Sequence, residues 1–183
     1  FGYACHATTL SGYDWSGDWP GFAQMRIEEA HPGATALFFT GCGADQNPIP
    51  RRQVELAEKY GTQLAESVGE VLAADMRPVP ATLETKYEEI QLPFAHVPSQ
   101  QELEQALTAQ NVYEVRRAQH QIAAYGDAAS IPATYPYPIQ TWRVGDVTGV
   151  FLGGEVVVDY SLKIKGLEPG VDFVAGCVND VMA

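Results

Sequence analysis

The sequence predicts an α/β domain, with α+β as the variant, in which helices cover a mixed β-sheet in layers. Apolar runs of strand length alternate with segments of helical period. The runs end in loops rich in Gly, Asp, Ser and Thr, as strand ends in layered sheets do. Late in the chain, two strand-like runs meet across Gly145-Asp146 as a hairpin, so the sheet holds at least one antiparallel pair.

In chain order, residues 1–7 have the apolar character of a buried strand and lead into a polar loop. A helix is expected from Asp18, which can cap the free N–H groups. Pro20 suits its first turn, Phe22, Ala23, Ile27 and Ala30 mark one face, and His31-Pro32-Gly33 ends it. Residues 35–40 read as a second buried strand. It runs into the Gly-rich loop 41–48 and then a long helix over about 52–74, whose stripe Val54, Ala57, Gly61, Leu64, Ala65, Val68 and Leu72 is expected to pack on a sheet. Residues 81–92 suit a strand with partly polar faces.

Ser99-Gln100-Gln101-Glu102 is a capping box, and Asn111-Val112-Tyr113-Glu114 repeats the pattern. These predict a peripheral helical hairpin over about 99–126, its second helix closed by Gly126. Residues 127–138 are Pro-rich and expected to be irregular. The strands 139–144 and 147–153 form the hairpin, 156–165 are expected to continue as a helix, and 172–177 form a last short strand.

The 183 residues are 46% apolar, enough for one core of ordinary size. The chain opens in mid-strand without Met and stops without a tail, so residues 1–183 are expected to be an internal fragment of a longer protein. A formal charge of −12 supplies no basic stripe to neutralise phosphates, which argues against a nucleic-acid partner. No apolar run approaches the roughly 18 residues of a membrane span. Cys5, Cys42 and Cys177 form no CxxC pair and are expected to be small buried hydrophobes.

Ligands of open sheets sit where strands end, which selects His6, the loop 41–48, Glu155 and Asn179-Asp180. His6 is open to two readings: a structural histidine, or an imidazole offering one nitrogen to a metal while the other is held by an acceptor. Glu155, after two glycines, is either a helix N-terminal carboxylate favoured by the macrodipole or a metal ligand. The loop lacks the Lys and Ser/Thr of a P-loop, which disfavours nucleotides. Its N–H groups suit an oxyanion nest, or a tight turn capped by Asp45 or Asn47.

Taken together, four stretches in order resemble the neutral/alkaline ceramidases. Tyr3-Ala4-Cys5-His6-Ala7-Thr8-Thr9-Leu10, with Ser16-Gly17-Asp18-Trp19-Pro20-Gly21-Phe22-Ala23, is similar to that family's strand with a metal-binding His and its helix start. Residues 38–48 resemble the strand and loop that carry the ceramidase nucleophile. Leu152-Gly153-Gly154-Glu155 resembles the stretch with a carboxylate ligand, and residues 175–180 resemble the strand that leads to a ligand tyrosine.

The resemblance implies a zinc-dependent hydrolase of an N-acyl lipid or other amide, secreted or at the cell surface. His6 and Glu155 would be two zinc ligands, Asp45 and Asn47 the catalytic loop residues, and Gly43 and Ala44 the oxyanion segment; the remaining ligands would lie outside this chain. Two departures stand out. Asn47 occupies the position of the family's nucleophilic Ser, and Val181 that of its ligand Tyr. The alternative expectation is therefore a ceramidase-like binding domain without catalysis.

Overall fold

The computed structural model describes residues 1–181 and has the α/β character expected, with helices and a mixed sheet. The chain divides into two compact units, one of residues 1–88 and 138–183, the other of residues 89–137.

In the first unit, β1 (Gly2–Tyr3) pairs in parallel with β2 (Phe39–Thr40), Gly2 opposite Phe39 and Tyr3 opposite Thr40. Both strands are far shorter than the apolar runs that contain them. The reason is that neighbouring groups take their backbone bonds. Gln24 donates its amide to the carbonyl of Ala36 at 2.7 Å, and the Ala36 N–H goes to the Glu28 carboxylate at 3.0 Å. With Ala36 satisfied from α1, the ladder stops short of it; the carbonyl of Leu37 accepts the Phe1 ammonium at 3.0 Å, and Leu37 is 73% exposed.

Helix α1 (Asp18–Ala30) buries Trp19, Ala23 and Ile27 and ends where His31 donates to the carbonyl of Ile27 at 2.9 Å. Asp18 does not cap it in the expected way. Gly17 is the N-cap, and Asp18 is the first helical residue, at φ +50. Its carboxylate turns back to accept the N–H groups of Thr9 (3.2 Å), Leu10 (2.8 Å) and Trp19 (2.7 Å). It therefore pins the loop after His6 to the helix start.

Helix α2 (Val54–Ala73) lies within the span expected, but its buried positions, Ala57 and Gly61, meet α1 rather than a sheet. A Cβ on Gly61 would stand 2.6 Å from the carbonyl oxygen of Trp19 and 2.8 Å from the nitrogen of Ala23. Only glycine allows the two helices to approach so closely.

The second sheet has the order β3 (Leu83–Pro93), β4 (Thr134–Val144), β5 (Val147–Leu152), β6 (Phe173–Ala175). The expected hairpin is present, antiparallel from Ile139 opposite Leu152 to Val144 opposite Val147. Strand β6 joins β5 in parallel, with Gly149 opposite Phe173, after helix α5 (Val158–Leu167), so the sheet is mixed. Gly41 bridges Ala175, and the Gly176 N–H reaches the carbonyl of Thr40 at 3.1 Å, tying the end of β2 to the end of β6. Strand β4 starts within the Pro-rich stretch that was expected to be irregular. Pro136 and Pro138 precede the β5 ladder, so their missing N–H groups cost it no bond.

The second unit contains the expected helical hairpin as α3 (Gln100–Ala106) and α4 (Val112–Tyr125). The capping box of Ser99 and Glu102 is formed in both directions, and Asn111 caps α4 through the N–H of Tyr113 at 3.0 Å. Gly126, at φ +83, closes α4. Leu103 and Ala118 form the buried contact points of the unit.

Candidate functional site

His6 stands three residues beyond β1 and is held at three atoms. Its N–H donates to the carbonyl of Gln46 at 3.0 Å, its carbonyl accepts the Trp19 indole N–H at 2.9 Å, and its Nε2 lies 2.9 Å from the carbonyl of Ala44. A carbonyl only accepts, so in the neutral ring Nε2 carries the proton and Nδ1 keeps the lone pair. This is the arrangement of a ligand imidazole oriented by a backbone acceptor.

The loop 41–48 reaches His6 because Gly43 lets it press against the strand end. A Cβ there would meet the nitrogen of Cys5 at 2.5 Å. Ala44 then works in two directions, holding the ring of His6 with its carbonyl and giving its N–H to the carbonyl of Val156 at 3.2 Å. That second bond removes the Ala44 N–H from the expected oxyanion segment. The Gly43 N–H has no partner among the described residues.

Asp45 is committed to α5. Its carboxylate accepts the N–H of Val158, the first residue of α5, at 3.1 Å, so a loop residue distant in sequence caps that helix. The same N–H is the main cause of an Asp45 pKa below the ordinary carboxylate value. Asn47 is exposed, and its Oδ1 accepts from the Thr8 hydroxyl at 3.2 Å and Arg51 at 3.3 Å. With the acceptor end occupied by two donors, the amide N–H₂ is the end left to act.

Glu155 is exposed in the turn after β5. That turn is fixed by the Gly154 N–H on the carbonyl of Asp180 (2.7 Å) and the Cys177 N–H on the carbonyl of Gly154 (2.8 Å). The carboxylate has no hydrogen bond or ion pair among the described residues. It does not open α5, which begins at Val158, so the macrodipole reading of Glu155 is set aside. Its charge is felt at Cys177, whose thiol is pushed up mainly by burial and secondarily by Glu155.

Asn179, at φ +66, gives its amide to the Gln140 side chain at 2.9 Å and takes no part at His6. The cysteines follow expectation only in part. Cys42 is buried and Cys5 half-buried, but Cys177 is exposed as a residue.

Ala44 is thus the junction of the site, bonded to His6 on one side and to the neighbour of Glu155 on the other. A lone-pair imidazole nitrogen and an unpaired carboxylate match the donors that zinc takes, although zinc sites use three or four protein ligands. Among the described residues no group of three or more His, Cys, Asp or Glu is placed to hold a metal. His6 and Glu155 are donors of the kind that zinc takes, and no hydrogen bond or ion pair joins them to each other.

Sequence reasoning missed the supports of His6, namely the Asp18 carboxylate and the Trp19 indole. It also missed a cavity of about 390 Å³ beside the loop, lined in part by Tyr3, Cys5, Trp19 and Asn47. A Trp beside a helix-start Asp is the one local signal that pointed there. Among the described residues no helix is long and apolar enough to cross a membrane. No protein-family model matches the sequence, and no curated protein matches it.

Proposed function

We propose that the chain carries part of the site of a zinc-dependent amide hydrolase similar to the neutral ceramidases, acting on an N-acyl lipid or another N-acyl amide. The observation that carries this reading is the His6 ring, fixed by Nε2–H donating to the carbonyl of Ala44, with the Nδ1 lone pair left for a metal. His6 and Glu155 would supply two ligands, and the rest would come from outside the described residues. When bound, zinc supplies Lewis acidity toward the amide carbonyl and lowers the pKa of water to about 7.

The chain's own residues then have separable tasks. Asn47 stands where the related enzymes have serine and is no nucleophile, so water is the attacking group in this reading. The Asn47 amide and the Gly43 N–H donate to the oxygen that gains charge as the carbonyl is attacked. Asp45 holds the loop to α5 instead of moving a proton. Secretion or display at the cell surface follows from the resemblance and belongs to the same proposal.

The test is hydrolysis of N-acyl substrates by the full-length protein, with and without chelator, beside bound-zinc analysis of H6A and E155Q. Turnover lost with chelator, and zinc lost in both variants, is the expected result. Chelator-insensitive turnover, or full zinc occupancy in both variants, overturns it. A second reading, a binding domain without catalysis, draws on the Asn47 carbonyl being tied to Thr8 and Arg51. Zinc bound with no turnover on a broad panel of amides and esters identifies it.

A further inference from the structure

The cavity of about 390 Å³ beside the loop falls within the range of small-molecule sites, roughly 300–1,000 Å³. None of its lining residues is charged, although 19% of the chain is. A carboxylate or ammonium entering it would lose hydration and meet no charged side chain in the lining, since Arg51 reaches it only by donating to the Asn47 carbonyl at 3.3 Å. Its occupant is therefore neutral.

One wall is aromatic and braced. Tyr3 meets Trp19 edge to face at 5.7 Å, Trp19 meets Phe38 at 5.3 Å, and Trp19 is further held by its indole bond to His6. Tyr3 itself stays 54% exposed. Several polar groups of the lining are already committed: the Tyr60 hydroxyl to the carbonyl of Pro50 (2.6 Å) and the Cys5 thiol to the carbonyl of Gln46 (3.7 Å). Three remain without partners among the described residues, the Tyr3 hydroxyl, the Gln63 amide and the N–H₂ of Asn47.

An exposed aromatic ring beside unpaired neutral donors and acceptors suits a ring with an apolar C–H face and a rim of hydroxyls. A nucleobase edge is a poorer match. It takes both the donor and the acceptor of one amide, which Gln63 alone still offers here, because the acceptor of Asn47 is spent on Thr8 and Arg51. Hydroxyls accept and donate in turn and need no such pair. We infer that this cavity binds a neutral saccharide ring, seated on Tyr3 and hydrogen-bonded by Gln63 and Asn47.

The cavity borders the loop through Asn47, but this binding needs neither zinc nor turnover, so it stands or falls apart from hydrolysis. The experiment titrates the full-length protein with methyl β-glucoside, methyl β-galactoside, methyl α-mannoside and N-acetylglucosamine. Glucuronate, glucosamine and adenosine serve as charged and nucleobase probes. Binding is read by saturation-transfer NMR and by site-resolved alkylation of Cys5, with the exposed Cys177 as internal reference.

At least one neutral sugar is expected to saturate the protein and slow alkylation of Cys5 while leaving Cys177 unchanged. Glucuronate and glucosamine should bind at least about tenfold more weakly, and Q63L should weaken the neutral sugar by about tenfold, ~1.4 kcal/mol. Gln63 is an exposed residue of α2, so this variant folds where Y3A could fail. The inference is overturned if no neutral sugar protects Cys5, if charged sugars bind equally, if adenosine is preferred, or if Q63L binds undiminished.

Discussion

Asp18 carries more of the architecture around His6 than any other single residue. It is a buried carboxylate whose two oxygens receive three backbone N–H groups, from Thr9, Leu10 and Trp19. Charge-assisted bonds of this kind contribute more than neutral ones, and removing the acceptor leaves donors unpaired in the interior. D18A is expected to cost about 2–4 kcal/mol in urea denaturation, with D18N intermediate because it keeps one acceptor. Since Trp19 follows Asp18 and holds the carbonyl of His6, the zinc-site proposal predicts that D18A loses bound zinc together with stability. The identity of Asp18 as a helix-start residue was legible in the sequence. The backward turn of its carboxylate was not, because Thr9 and Leu10 come within reach only once the loop has folded.

Elements divide along the same line. Helices were read nearly to their ends, since stripe, caps and Gly stops are local: 54–73 lies inside the expected 52–74, and Ser99 with Glu102 caps α3 as their spacing implied. Strand lengths were overestimated where the α1 side chains Gln24 and Glu28 took both backbone bonds of Ala36. The partner of α2 was misread for another reason. An apolar stripe states that a face is covered, not what covers it. Because Gly61 sits against the backbone of Trp19 and Ala23, G61A is expected to destabilise by about 1–3 kcal/mol in thermal or urea unfolding, despite alanine's better helix propensity. An unchanged midpoint would mean that α1 and α2 do not meet there.

At the scale of the whole molecule, charge sets the response to acid. Asp45, Glu102 and Asp146 each have a pKa below the ordinary value: Asp45 through the N–H of Val158, Glu102 through the N–H of Ser99, and Asp146 through its bond to Arg77. A depressed folded pKa means that the unfolded chain takes up the proton first. The stabilisation is then complete above the ordinary values of 3.8 for Asp and 4.5 for Glu, and is lost as pH falls through the lower folded values. Denaturation midpoints should therefore be flat near neutral pH and fall below that window. The formal charge of −12 acts separately through self-repulsion, so added salt at neutral pH should raise the melting temperature. Scanning calorimetry across pH and salt checks both.

By itself the sequence determined the α/β class, the spans of the main helices, the caps at Ser99 and Asn111, and the hairpin at Gly145-Asp146. These rest on interactions between residues a few positions apart, and periodicity records them. Only the tertiary structure decided that Ala44 would bond His6 and Val156 at once, that Asp45 would cap a helix beginning at Val158, and that an uncharged cavity would open beside Asn47. Each of these joins residues far apart in the chain, and nothing local encodes which distant group will satisfy a given carbonyl or carboxylate.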